Sequence, residues 1–212
     1  MADNRITQKH LKTHFQYSWW KYALALVVSI LGISLAFDTT EYRPPEEKKT
    51  ELYIMNSYCD TEALEKKLWP LLQEACPEQE EMITMNINLN SDDIYVRMQF
   101  MTYVAAHQGD VFMMSQQEFE NLMTDESADS IYVDLMPYIE SGVIDVGDIN
   151  LTPGYATDSA GQRGLYAIPT DSLTGMKDYL CNPEGAVLAM VSYGGNLDTA
   201  AQLIGIMLRE LR

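Results

Sequence analysis

Histidine, cysteine and basic residues are scarce in this chain. Its 212 residues include 3 His, 3 Cys and 14 Lys+Arg against 31 Asp+Glu, a net charge of −17. Only His107 lies beyond the first 37 residues, and a place near a helix C-terminus explains it through the helix dipole. No G-x-S-x-G elbow or Ser/His/Asp set is evident, and no His/Cys spacing suits zinc. No glycine-rich loop follows the first predicted strand, where NSYCDT stands instead. Asp125, Ser127 and Asp129 are spaced like the start of a calcium loop. Ser130 and Met136 occupy the positions that need glycine and a bidentate glutamate. The sequence therefore predicts no enzyme, no cofactor and no metal site. Cys59, Cys76 and Cys181 are an odd number and make no disulfide framework. A predicted helix of about 25 Å separates Cys59 from Cys76. A Cys59–Cys181 pair is open, and the reading adopted is three unpaired thiols.

What is present is one long apolar run. Trp19 to Phe37 reads WWKYALALVVSILGISLAF, uncharged from Tyr22 onward. As helix, the sixteen residues from Tyr22 to Phe37 rise about 24 Å, and Trp19, Trp20 and Lys21 extend this toward the roughly 30 Å of a bilayer core. Tryptophan suits the headgroup level, and lysine snorkels there. Arg5, Lys9, Lys12 and Lys21 precede or open the run, against Asp3 alone, and Asp38 and Glu41 follow it. The positive-inside rule then predicts a cytoplasmic N-terminus and an extracellular remainder. A cleaved signal peptide is the alternative, with Ser34-Leu35-Ala36 as a small-x-small site. The long apolar run and the long tail before it favour an uncleaved anchor. Beyond residue 37 stand ten basic and thirty acidic residues, a net of −20. Such a domain is repelled by nucleic-acid phosphate and anionic lipid, which excludes nucleic acid as a partner.

The predicted organisation is a cytoplasmic tail (1–18), a transmembrane helix (19–37), a linker (38–50) carrying Pro44-Pro45 and a charge run, and an extracytoplasmic domain (51–212). Strand and helix signals alternate in the domain. Strands are expected at 51–56, 82–89, 110–115 and 186–193. Helices are expected after Asp60 with a kink or restart at Pro70, from Ser91 to His107, from the Ser115/Glu118 capping box, over 131–140, and after Asn196 as cap. A hairpin is expected around Gly161, between 155–159 and 164–168. This alternation predicts an α/β domain with a mainly parallel sheet flanked by helices. Open sheets of that kind bind ligands outside the carboxyl ends of their strands. The residues there include Asn56, Ser57, Tyr58, Asn90, Asp92, Ser115, Gln116, Asp171 and Tyr193. Their amide, hydroxyl and phenol groups suit a neutral polar ligand such as a sugar. The same residue types are also ordinary turn and cap formers.

ELYIMNSYCDTEALEKKLWPLLQE (51–74) resembles the opening strand, polar loop and first helix of bacterial extracellular solute-binding proteins, the receptors of ABC importers. MNINLNSDDIYVRMQFMTYVAAHQGDVFMMSQQEFENLM (85–123) resembles the stretch that follows in that family. VDLMPYIESGVID, GLYAIPTD and SYGGNLDTAAQLIGIMLREL resemble its L-x-P-Y-I helix, its G-x-P strand and its terminal helix. The resemblance implies one lobe of a periplasmic-binding-protein-like fold, carbohydrate uptake as the setting, and a permease or another envelope protein as partner. About eighteen residues, Asp171 to Leu188, stand where a second lobe belongs, so the resemblance implies a single lobe that binds a sugar weakly. The alternative is an interaction or envelope scaffold that kept the fold and lost the ligand.

Overall fold

The computed structural model describes residues 8–40, 42, 44–55, 57–87, 98, 102–106, 108–124, 131–157, 161–191, 193 and 195–212. Two compact units are present, Met1–Arg43 and Pro44–Arg212. Among its described residues the first holds the helix α1 (Gln8–Thr40), whose Trp19–Phe37 stretch is long and apolar enough to cross a membrane. Every residue of that stretch is exposed. The Ser29 hydroxyl donates to the Ala25 carbonyl at 2.8 Å, within the helix itself. A polar side chain satisfied inside its own helix suits an apolar solvent.

The second unit is an α/β domain. A five-stranded sheet runs in the order β2 (Glu81–Ile87), β1 (Lys49–Met55), β3 (Val111–Ser115), β7 (Ala186–Met190), β6 (Ala167–Pro169). The pairs β1–β2 and β1–β3 are parallel, whereas β7 is antiparallel to both β3 and β6. Four strands thus point one way and β7 points back. A short hairpin, β4 (Tyr155–Thr157) with β5 (Arg163–Leu165), lies beside this sheet, as the sequence suggests around Gly161. The expected second arm, 164–168, divides at Tyr166, and its last residues, Ala167 and Ile168, join the main sheet as part of β6 instead. Gly154 permits this crossing, because a Cβ there would meet the Ala167 carbonyl oxygen at 1.8 Å.

Side-chain alternation buries both faces of the sheet. Leu52, Ile54, Val111, Met113, Leu188 and Met190 point to one core, with Leu64, Leu68 and Leu72 of α2 (Thr61–Ala75) and Leu203, Ile204, Met207 and Leu208 of α5 (Leu197–Glu210). Tyr53, Met55, Phe112, Met114, Val187 and Ala189 point to the other, where Phe119 and Leu122 of α3 (Gln116–Thr124) pack.

Local capping follows the sequence in two places. Asp60 accepts the Ala63 N–H at 3.1 Å, and Ser115 Oγ accepts the Glu118 N–H at 3.2 Å. Elsewhere tertiary contacts prevail. α2 continues through Pro70 without the expected restart. Asn196 caps nothing with its side chain; its amide donates to the Glu47 and Lys49 carbonyls. The expected helix over 131–140 shrinks to α4 (Met136–Glu140). Before it, Tyr132 bridges Val191, and the N–H groups of Val133 and Leu135 donate to the Met190 and Leu165 carbonyls, so these donors are taken by distant strands rather than by a helical turn. Pro137 in the first turn then starts the helix. The helix expected over 91–107 falls largely outside the described residues, although 98 and 102–105 are helical.

Candidate functional site at the carboxyl rim of the sheet

The strand directions gather one rim. β1 ends at Met55, β3 at Ser115 and β6 at Pro169, while β7 begins there at Ala186, in register with Ser115. Ser57 and Tyr58 follow β1, Gln116 follows β3, and Thr170 and Asp171 follow β6. Asn56, Asn90 and Asp92 lie outside the described residues. Tyr193 lies at the opposite end, because β7 runs against the other strands. Its hydroxyl donates to the Gln108 carbonyl at 3.3 Å.

Most of the rim candidates fasten loops to one another. Ser57 Oγ accepts the Asn182 N–H at 3.1 Å. Asp171 Oδ1 accepts the Gly185 N–H at 2.9 Å, and Thr170 Oγ1 donates to the Pro183 carbonyl at 2.6 Å. Gln116 donates its backbone N–H to the Gly185 carbonyl at 3.0 Å and its side-chain amide to Glu120 at 2.9 Å. Ser115 caps α3. Tyr58 is different, with 73% of its surface exposed beside the rim. Leu180, at 64% exposed, lies on the facing segment and adopts left-handed backbone (φ 60°), a conformation disfavoured for a side chain with a Cβ.

That facing segment was missing from the sequence reading. It comprises the 3-10 turns of Thr174–Tyr179 and the loop Leu180–Gly185, which supplies Asn182, Pro183 and Gly185 to the rim. The cluster N-P-E-G at 182–185 is a turn signal that could have located it. Its backbone also meets the β1–α2 loop, where the Asp60 N–H donates to the Tyr179 carbonyl at 2.8 Å.

A second polar cluster sits at the opposite end of the sheet. Asp110 Oδ2 accepts the Glu51 N–H at 2.8 Å, and Glu51 Oε2 accepts from Gly109 N–H at 2.6 Å and from the Tyr53 hydroxyl at 2.9 Å. Burial pushes the Asp110 carboxyl up to about 6, opposed by its hydrogen bond from Glu51 N–H and assisted by the Glu51 and Glu46 charges. Burial also holds the Tyr193 phenol well above its ordinary value, with the Asp110 and Glu51 charges adding to the effect. Among the described residues no group of three or more His, Cys, Asp or Glu is placed to hold a metal ion.

No protein-family model and no curated protein matches the sequence. Among solved structures, the chain is similar to an extracellular solute-binding protein family 1 from Alicyclobacillus acidocaldarius, at 17% identity and a TM-score of 0.39 over 61% of this chain and 29% of that one. It is also similar to a "probable secreted solute-binding lipoprotein" from Streptomyces coelicolor, at 17% identity and a TM-score of 0.37 over 60% of this chain and 30% of that one. The chain spans less than a third of the length of either protein.

Proposed function

We propose that this chain is a membrane-anchored, extracytoplasmic binding module whose contact surface is the carboxyl rim of the sheet. The observation that carries the reading is the convergence of four strand ends on one rim, from which an exposed aromatic side chain, Tyr58, projects. An exposed phenol offers an apolar face and a hydroxyl together, which is the combination a sugar ring contacts. The anchor is α1, and the charge asymmetry around it favours an external domain. Carbohydrate is the proposed ligand class, and a permease or another envelope protein the proposed partner.

A lone rim encloses one face of a ligand, whereas most of a tightly held small molecule's surface is normally covered. Affinity of the full chain in detergent for mono- or oligosaccharides is therefore on the order of 0.1 mM or weaker. Calorimetry tests this. Tyr58→Ala and Asn90→Ala are expected to weaken the binding while leaving Tm nearly unchanged. Sub-micromolar affinity in the monomeric protein overturns the one-sided geometry. A second reading, a scaffold without a small ligand, is favoured by the hydrogen bonds that already engage Ser57, Ser115, Gln116 and Asp171. Silence across a sugar panel at millimolar concentration selects it.

A further inference from the structure

Two of the three cysteines meet beneath the rim. Cys59 follows Tyr58 at the entrance to α2, and Cys181 follows Leu180 on the facing segment. Both are buried, at 2% and 1% exposed, in the same core. Their backbones are held together on either side, by the Asp60 N–H to the Tyr179 carbonyl at 2.8 Å and by the Asn182 N–H to Ser57 Oγ at 3.1 Å. Cys181 Sγ lies 3.8 Å from Ser57 Oγ and 4.0 Å from Met113 Sδ. The two thiols act on each other's acidity, Cys181 holding Cys59 above its ordinary value and Cys59 drawing Cys181 below its own. Cys76 is remote from them, at the far end of α2, whose 15 residues extend about 23 Å.

We propose that Cys59 and Cys181 are a redox pair that closes to a disulfide, stapling the β1–α2 loop to the 174–185 segment across the rim. The closure is a thiol–disulfide exchange with a low-molecular-weight or protein disulfide as oxidant. Cys181, as thiolate, attacks the oxidant's disulfide, forms a mixed disulfide and expels one thiolate. Cys59 then loses its proton to solvent and attacks the Cys181 sulfur, which expels the second thiolate. Two cysteine thiols are oxidised to one disulfide, and one oxidant disulfide is reduced to two thiols. The order of attack follows from the unequal acidity of the two thiols. The Cys59 neighbour, with help from Ser57, draws Cys181 below its ordinary value against the opposing effect of burial, while the Cys181 neighbour and burial push Cys59 up. Neither sulfur is open to solvent, so closure occurs during folding or when the rim segments open.

An oxidising compartment is where such a pair closes. That setting rests on the external topology proposed above, whereas the chemistry belongs to the two residues and is tested on the purified protein. The full chain in detergent is reduced, freed of reductant, incubated with oxidised glutathione, then denatured and alkylated. The expected product carries one alkylated cysteine, and its peptide map joins the Cys59 peptide to the Cys181 peptide. Refolding from denaturant in a glutathione redox buffer is run in parallel, to admit oxidant while the segments are open. The Cys59→Ser chain is expected to accumulate glutathione on Cys181, and the Cys181→Ser chain to hold far less on Cys59. Closure spans about 120 residues of chain and constrains the unfolded state, so Tm of the oxidised protein rises by about 5 °C or more. Three alkylated cysteines in both experiments overturn the proposal. So does a bridge that includes Cys76, or a disulfide that lowers Tm.

Discussion

Asp110 shows what one buried carboxyl does to this domain. Its folded value of about 6 lies above the ordinary 3.8, so the folded state keeps the proton that the unfolded chain has released. Stability from this group is therefore full below about pH 4 and is lost as pH rises through about 6. That rise in the carboxyl's value corresponds to at most about 3 kcal/mol. Asp110→Asn keeps an oxygen to accept the Glu51 N–H and removes the charge. The variant is expected to exceed the parent by about 1–3 kcal/mol at pH 7.5 in urea denaturation, and to match it near pH 4. An equal difference at both pH values would assign the effect to packing instead. This environment was illegible in sequence, because Glu51 and Asp110 meet only through the β1–β3 pairing.

At the scale of elements, α2 carries a local conflict. Pro70 lies within the helix, on its exposed side, and supplies no N–H to the turn before it. The helix persists because Leu64, Leu68 and Leu72 are fully buried against the sheet and α5. Pro70→Ala restores the missing donor at a solvent-facing position. After allowance for the looser unfolded chain, it is expected to stabilise the domain by about 2 kcal/mol, read by chemical denaturation. Loss of stability would show that the proline sets a bend that the core needs. Leu208→Ala, on the buried face of α5, is expected to cost about 2–5 kcal/mol, because it leaves a cavity where a fully buried side chain of the larger core stood. The strands β1, β2, β3 and β7 and the α2, α3 and α5 helices were legible from period, with caps that hold at α2 and α3. The 131–135 stretch was not, since its hydrogen-bond partners, Met190 and Leu165, are distant in sequence.

At the scale of the whole molecule, the second unit begins at Pro44, and Glu47 and Lys49 already accept bonds from Asn196. A fragment of residues 44–212 is therefore expected to be soluble and to melt cooperatively, whereas one starting at residue 51 loses β1's first pairings and melts lower. Added salt is expected to raise the melting temperature modestly by screening the excess of acidic groups. A fragment 44–212 without a cooperative transition would mean that a partner completes its fold. On intact cells, external protease is expected to degrade the portion after residue 37 and to spare the N-terminal tail. Protection of the acidic portion would reverse the proposed orientation.

The sequence by itself determined the apolar helix, the charge division around it and the α/β alternation. Each of these is written in local residue order, as a run, a sum or a period. It also placed Ser57, Tyr58, Ser115, Gln116 and Asp171 near strand ends, which the structure gathers on one rim. Only the tertiary structure decided that β7 runs antiparallel, and that reversal sends Tyr193 to the opposite end while bringing Asn182 and Gly185 to the rim. Only it decided that Cys59 meets Cys181 across more than half the chain. Strand direction and long-range contact depend on which segments bury each other's apolar faces, and a local pattern of residues does not encode that choice.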